Sequence, residues 1–123
     1  MRASARALAR IYGALATGTQ DGVTLLSREA IDRARTVQRS GPDNVLPLLS
    51  TKFGLGFQIG TDAEPIGPNP LAFGHSGMGG SLGFADPELE LGFGYAMNRM
   101  ENGVFLIGPR ATALMNAAFE ALR

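Results

Sequence analysis

Ser81-Leu82-Gly83-Phe84-Ala85, then Asp86-Pro87-Glu88, then Leu91-Gly92-Phe93-Gly94-Tyr95-Ala96-Met97-Asn98 read in order as strand, turn and strand. The last stretch sets Leu91, Phe93, Tyr95 and Met97 against Gly92, Gly94, Ala96 and Asn98, which is the two-residue period of a pleated strand. Asp-Pro supplies the turn, so an antiparallel hairpin is expected. Phe53–Gly60 repeats the pattern, with Phe53, Leu55, Phe57 and Ile59 opposite Gly54, Gly56, Gln58 and Gly60, and is expected to be a further strand. Glycine weakens a strand, so a nearly bare face implies that another backbone approaches closely. The alanine-rich segments 3–17 and 111–122 are the natural occupants of that face.

Outward from this hairpin, Ala3 to Thr17 reads as a helix with Leu8, Ile11, Tyr12 and Leu15 on one face and Gly18 as its stop. Arg2, Arg6 and Arg10 lie four apart on another face and read as a solvated row. Ser27 to about Gln38 is a second helix, capped by Ser27, stapled by Leu26 against Ile31 and ended by Gly41-Pro42. Residues 40–52 carry little periodicity and read as a connector. Pro65, Pro68 and Pro70 mark a loop, and Asn102-Gly103 another turn. The closing helix carries Leu114, Met115, Ala118 and Leu122 at helical spacing.

Composition narrows the function classes. The chain has 123 residues, enough for one domain or part of one,, and a chain of this size buries roughly 65% of its unfolded surface. It is 45% apolar and 18% charged, which is globular. Eleven basic and eleven acidic residues cancel, so electrostatics offer no case for nucleic acid or an anionic membrane surface. There is no cysteine, which removes disulfides, thiol nucleophiles and cysteine-based zinc sites. No apolar run approaches the roughly 18 residues of a membrane helix, and Met1 to Ala16 lacks the apolar core of a secretion signal. No membrane association is expected, and the cytoplasm is the favoured compartment.

Two catalytic motifs fail on context. Gly79-Gly80-Ser81-Leu82-Gly83 matches the Gly-x-Ser-x-Gly nucleophile elbow. That elbow needs a helix after the serine, whereas Phe84-Ala85-Asp86-Pro87 follows here. The only histidine, His75, precedes the serine, whereas the elbow family places its histidine last. His75 has no carboxylate at ligand spacing, so no metal site is expected. No glycine arrangement fits a dinucleotide or phosphate loop, and no cofactor is expected.

The stretch Gly74-His75-Ser76-Gly77-Met78-Gly79-Gly80 places His-Ser-Gly at the start of a strand. It resembles the third motif of the serine β-lactamases, penicillin-binding proteins and related carboxylesterases, in which Lys-Thr-Gly or His-x-Gly stands. The order of segments is similar too: Ala5-Arg6-Ala7-Leu8-Ala9-Arg10, Leu25-Leu26-Ser27, Phe53-Gly54-Leu55-Gly56-Phe57, the triplet, Asp86-Pro87, and a strand ending in Asn98-Arg99. The resemblance covers nearly the whole chain. It implies an α+β fold, an antiparallel sheet flanked by helices that forms part of a β-lactamase/transpeptidase-like domain. Residues 1–123 would be the C-terminal part of that domain.

By the same resemblance, the parent activity is hydrolysis of an ester or amide, of β-lactam or carboxylester type, through an acyl-serine. Substrate-binding roles fall on His75 in place of lysine, Ser76 as a hydroxyl toward the substrate, Gly77 for close approach, and the Met78 N–H as an oxyanion donor. Unlike an ammonium, an imidazole changes charge near neutrality, which would favour esters over anionic β-lactams. No catalytic residue is expected in the chain itself. The only lysine, Lys52, has Leu49 three before it, so Ser-x-x-Lys is absent. Tyr-x-Asn is absent too, the tyrosines giving Tyr12-Gly13-Ala14 and Tyr95-Ala96-Met97. The chain is therefore expected to be inert alone, and to self-associate or pair with an N-terminal fragment. The alternative is a non-catalytic binding or scaffold module that keeps the sheet.

Overall fold

The computed structural model of the chain describes residues 3–47 and 49–123. Met1 and Arg2 of the expected N-terminal segment, and Leu48 of the expected connector, lie outside the described residues. Three helices, α1 (Ala5–Thr17), α2 (Arg28–Arg35) and α3 (Pro109–Ala121), accompany six strands. These are β1 (Arg39–Pro42), β2 (Ser50–Phe53), β3 (Gln58–Ile59), β4 (Phe73–Ser76), β5 (Leu82–Asp86) and β6 (Leu91–Tyr95). The strands form one antiparallel meander in chain order, β1-β2-β3-β4-β5-β6. The fold is α+β.

The β5–β6 hairpin has the expected pairing, with Phe84 opposite Phe93 and Gly83 opposite Gly94. Its turn is held by Asp86, which is fully buried. One carboxylate oxygen accepts from Asn69 Nδ2 at 2.6 Å and the other from the N–H groups of Glu88 and Leu89. The bare face of the hairpin carries α1. A Cβ on Gly92 would overlap the backbone of Gly13, one on Gly94 the Ala5 carbonyl, and one on Gly83 the Tyr12 ring. The helix thus rests on sheet backbone. Tyr12, Leu15 and Ala16 continue this layer with Ile31, Ile59, Phe73 and Ala85.

The other apolar helix differs from expectation. α3 packs on the large-residue face, where Ala111, Met115 and Phe119 join Ile66, Leu82, Phe84 and Ile107. Phe119 and Phe93 both stack on Phe84, at centroid distances of 5.7 and 4.9 Å. The buried stripe of α3 is therefore 111/115/119, and Leu114 and Leu122 are exposed. Pro109 starts the helix two residues early, because a first-turn position loses nothing for want of an N–H,.

Four further expectations are corrected. Phe53–Gly60 is not one strand. Gly54 N donates to Phe57 O at 2.8 Å and Gly56 takes φ +84°, so residues 54–57 are a tight turn between β2 and β3. The glycine at 54 answers to α2, since a Cβ there would meet the Ala34 carbonyl. Residues 40–52 are not merely a connector: Arg39–Pro42 pairs with Ser50–Phe53, with Pro42 tolerated on an edge strand. α2 is capped by Ser27, whose Oγ accepts from Ala30 N at 3.1 Å. It stops at Arg35, well before Gly41-Pro42, because Thr36 turns extended and Gln38 N donates to Phe53 O. On α1, the Ser4 cap and the left-handed Gly18 stop bound the helix, but Ile11 faces outward.

Candidate functional site

β3 is two residues long and pairs only with Phe73 and Gly74 of β4. The following residues, His75, Ser76, Gly77 and Met78, therefore have no strand beside them on that side, and they line a groove of about 540 Å³. His75 sits inside β4 rather than at its start, exposed, with its ring 5.8 Å from that of Phe53. Its Nδ1 lies 2.6 Å from Ser76 O. Ser76 Oγ lies 3.0 Å from Gln58 Oε1, which also accepts the Ser76 N–H at 3.2 Å.

The Gly77–Gly80 turn is closed by Gly77 N donating to Ser81 O at 2.7 Å and Gly80 N donating to Gly77 O at 3.0 Å. Met78, at its tip, is 90% exposed. Its N–H donates to no group among the described residues. Behind the turn, Glu101 N donates to Gly79 O, and the Glu101 carboxylate takes Arg110 N at 3.1 Å and Arg110 Nε at 3.0 Å. Glu101 thereby clasps the glycine turn to the start of α3. Gly80 and Gly108 leave it room, since a Cβ on either would collide with the carboxylate.

The opposite lip is the 43–46 turn. Asp43 Oδ1 accepts from Val45 N and Leu46 N, and Oδ2 accepts from Thr51 Oγ1. The backbone N–H groups of Leu46 and Val45 hold the Asp43 carboxyl below the usual carboxylate range, with smaller help from Thr51 and Arg39 and against a small desolvation effect,. Val45, Met78, Met100 and Val104 leave much of their apolar surface on the groove.

The sequence singled out residues 75–78 and the structure brings them to one groove, but Gln58, Asp43 and Glu101 were missed. Gln58 had a signal: it is the one long polar side chain in a run of glycine and apolar residues. Ser81 is followed directly by β5 and not by a helix, so the elbow geometry is not formed. Neither tyrosine is placed as a base. Tyr12 is in the α1 core layer, where burial raises its pKa, and Tyr95 packs beside the α3 core. A second cleft of about 410 Å³ lies between α3 and residues 63–68. Its Glu64 carboxylate is occupied by Leu106 N and Ile107 N. Among the described residues no cluster of three or more histidine, aspartate or glutamate side chains could hold a metal. No described helix is long and apolar enough to cross a membrane.

The family model described as Beta-lactamase matches residues 1–116. The chain belongs to the β-lactamase family. Among curated proteins it is 42% identical over 99 residues to the esterase/beta-lactamase LipL of Mycobacterium tuberculosis, covering 80% of this chain and 22% of LipL. Among solved structures it is similar to a penicillin-binding protein homolog from Caulobacter crescentus, with 42% identity and a TM-score of 0.87 over 97% of this chain and 32% of that one. It is likewise similar to a family VIII carboxylesterase, with 42% identity and a TM-score of 0.85 over 95% of this chain and 31% of that one. The chain thus spans about a fifth of LipL and about a third of these two structures.

Proposed function

We infer that the groove is the substrate-facing wall of a β-lactamase-like serine hydrolase that cleaves an ester or amide through an acyl-serine. The Met78 N–H carries the reading: a backbone donor with no partner among the described residues, at the tip of a closed glycine turn that faces a groove. A tetrahedral intermediate needs such a pre-placed donor for its oxyanion. His75 and Ser76 would contact the substrate beside it, and Gly77, where a Cβ would collide with Ser81 Oγ, would keep the turn closed under the acyl group. Nucleophile and base would come from the part of the family domain that bears Ser-x-x-Lys. Without that part, most of the roughly 10⁶-fold contribution of such a unit is missing, and the chain is inert.

The test is hydrolysis of a short-chain nitrophenyl ester. The chain alone should give no turnover. Co-expressed with an N-terminal segment of a family member that carries Ser-x-x-Lys, it should turn over. Met78→Pro, which removes the N–H, should then lower kcat by about 10²–10³. Restored turnover that is indifferent to Met78→Pro would refute the oxyanion assignment. Binding of the segment without any turnover would favour a scaffold module.

A further inference from the structure

Gln58 is fully buried and reaches from β3 to the end of β4. The β3–β4 pairing stops at Gly74, so the Ser76 N–H lies beyond the ladder and the Gln58 side chain stands in for the missing strand. A backbone N–H can only donate, so the oxygen end of the Gln58 amide must face it. Turned over, the amide would set NH₂ against N–H. With Oε1 fixed there, the proton between Ser76 Oγ and Oε1, 3.0 Å apart, can come only from the hydroxyl,. The far end of the amide, Nε2, is buried with no partner, so no acceptor among the described residues pulls it the other way.

The Ser76 hydroxyl therefore spends its one proton inward and offers the groove lone pairs. Beside it, Ser76 O only accepts, so His75 Nδ1, 2.6 Å away, turns its proton to the backbone and not to the groove,. The described lining adds the carboxylates of Asp43 and Glu101 and contains no lysine or arginine. A ligand carboxylate, which only accepts, finds no hydroxyl donor at Ser76, and the Arg110 guanidinium behind the lining is already taken up by Glu101.

We propose that Gln58 is a specificity-determining positioning residue: by holding the Ser76 hydroxyl as a donor to itself, it makes this wall select neutral substrates that bring a hydrogen-bond donor, such as an amide N–H, beside the scissile bond, and reject substrates with a carboxylate there. The proposal rests on the substrate-wall reading of the groove.

The test compares two probes of one shape, phenylacetamide and phenylacetate, by the amide shifts of Ser76, Gly77 and Met78 in the chain. Phenylacetamide should bind about tenfold more tightly, the worth of one hydrogen bond made against one refused. Gln58→Leu frees the hydroxyl and should bring the two affinities together by a gain for phenylacetate. Ser76→Ala removes the lone pairs offered to the groove and should bring phenylacetamide down toward phenylacetate, and this variant decides the matter if Gln58→Leu does not fold. Equal affinities in the wild-type chain, no gain in folded Gln58→Leu, or a preference for phenylacetamide that survives Ser76→Ala would each overturn the assignment and leave the substrate wall standing. If neither probe moves these amides, the substrate wall itself falls, and the selectivity with it.

Discussion

Gly92 and Asp43 carry more of the architecture than their size suggests. At Gly92 the α1 backbone occupies the place of a side chain, so Gly92→Ala must push the helix off the sheet. It should cost about 1–3 kcal/mol, the range of an overpacked core. Urea unfolding should show a lowered midpoint with an unchanged slope. Asp43 acts through its charge. Its carboxyl is held low by the N–H groups of Leu46 and Val45, so it contributes to folding above the ordinary carboxylate range and stops contributing as pH falls through its own depressed value. The groove lip should therefore hold at mildly acid pH and loosen only below the usual aspartate range. The shifts of the Val45 and Leu46 amides followed down in pH will show this, and in Asp43→Asn they should lose that acid transition.

At the scale of elements, the helix caps and the hairpin were legible because their signals are local. Ser27 precedes α2 and accepts the Ala30 N–H; Ser27→Ala should cost about 0.5–2 kcal/mol, read from thermal unfolding. The β5–β6 hairpin follows from alternation and a turn-forming Asp-Pro, both within twenty residues. The segment 53–60 misled for the same local reason. A period of two is equally satisfied by glycines that serve a tight turn and a close approach, and only the arrival of α2 at Gly54 separates these cases. α3 misled because alanine is compatible with either face of the sheet. Its real anchor is Phe119 stacked on Phe84. Phe84→Ala should therefore cost about 3–5 kcal/mol and loosen α3, whereas Leu114→Ala, on the exposed side, should cost under about 0.5 kcal/mol. Helix content measured through a denaturant titration distinguishes the two.

For the whole molecule, Val45, Met78, Met100 and Val104 present apolar surface around one groove, and β1 and β6 are the edges of the described sheet. Contiguous apolar surface and open strand edges both favour association. The chain should self-associate or bind a Ser-x-x-Lys-bearing N-terminal segment of the family. Light scattering on a sized column tests this, and a monodisperse monomer at high concentration would show that the segment closes its own core. What the sequence determined by itself was whatever depends on neighbours in the chain: the helix starts, the β5–β6 hairpin, the α+β class, and a His-Ser-Gly-Met run in a setting without Ser-x-x-Lys. Only the tertiary structure decided which face α3 covers, that 53–57 turns, that residues 39–42 join the sheet, and that Gln58 holds the Ser76 hydroxyl. Each of these is settled by a partner distant in sequence, such as Phe84 for Phe119, Ala34 for Gly54, or Ser76 for Gln58, and no local period encodes a partner's position.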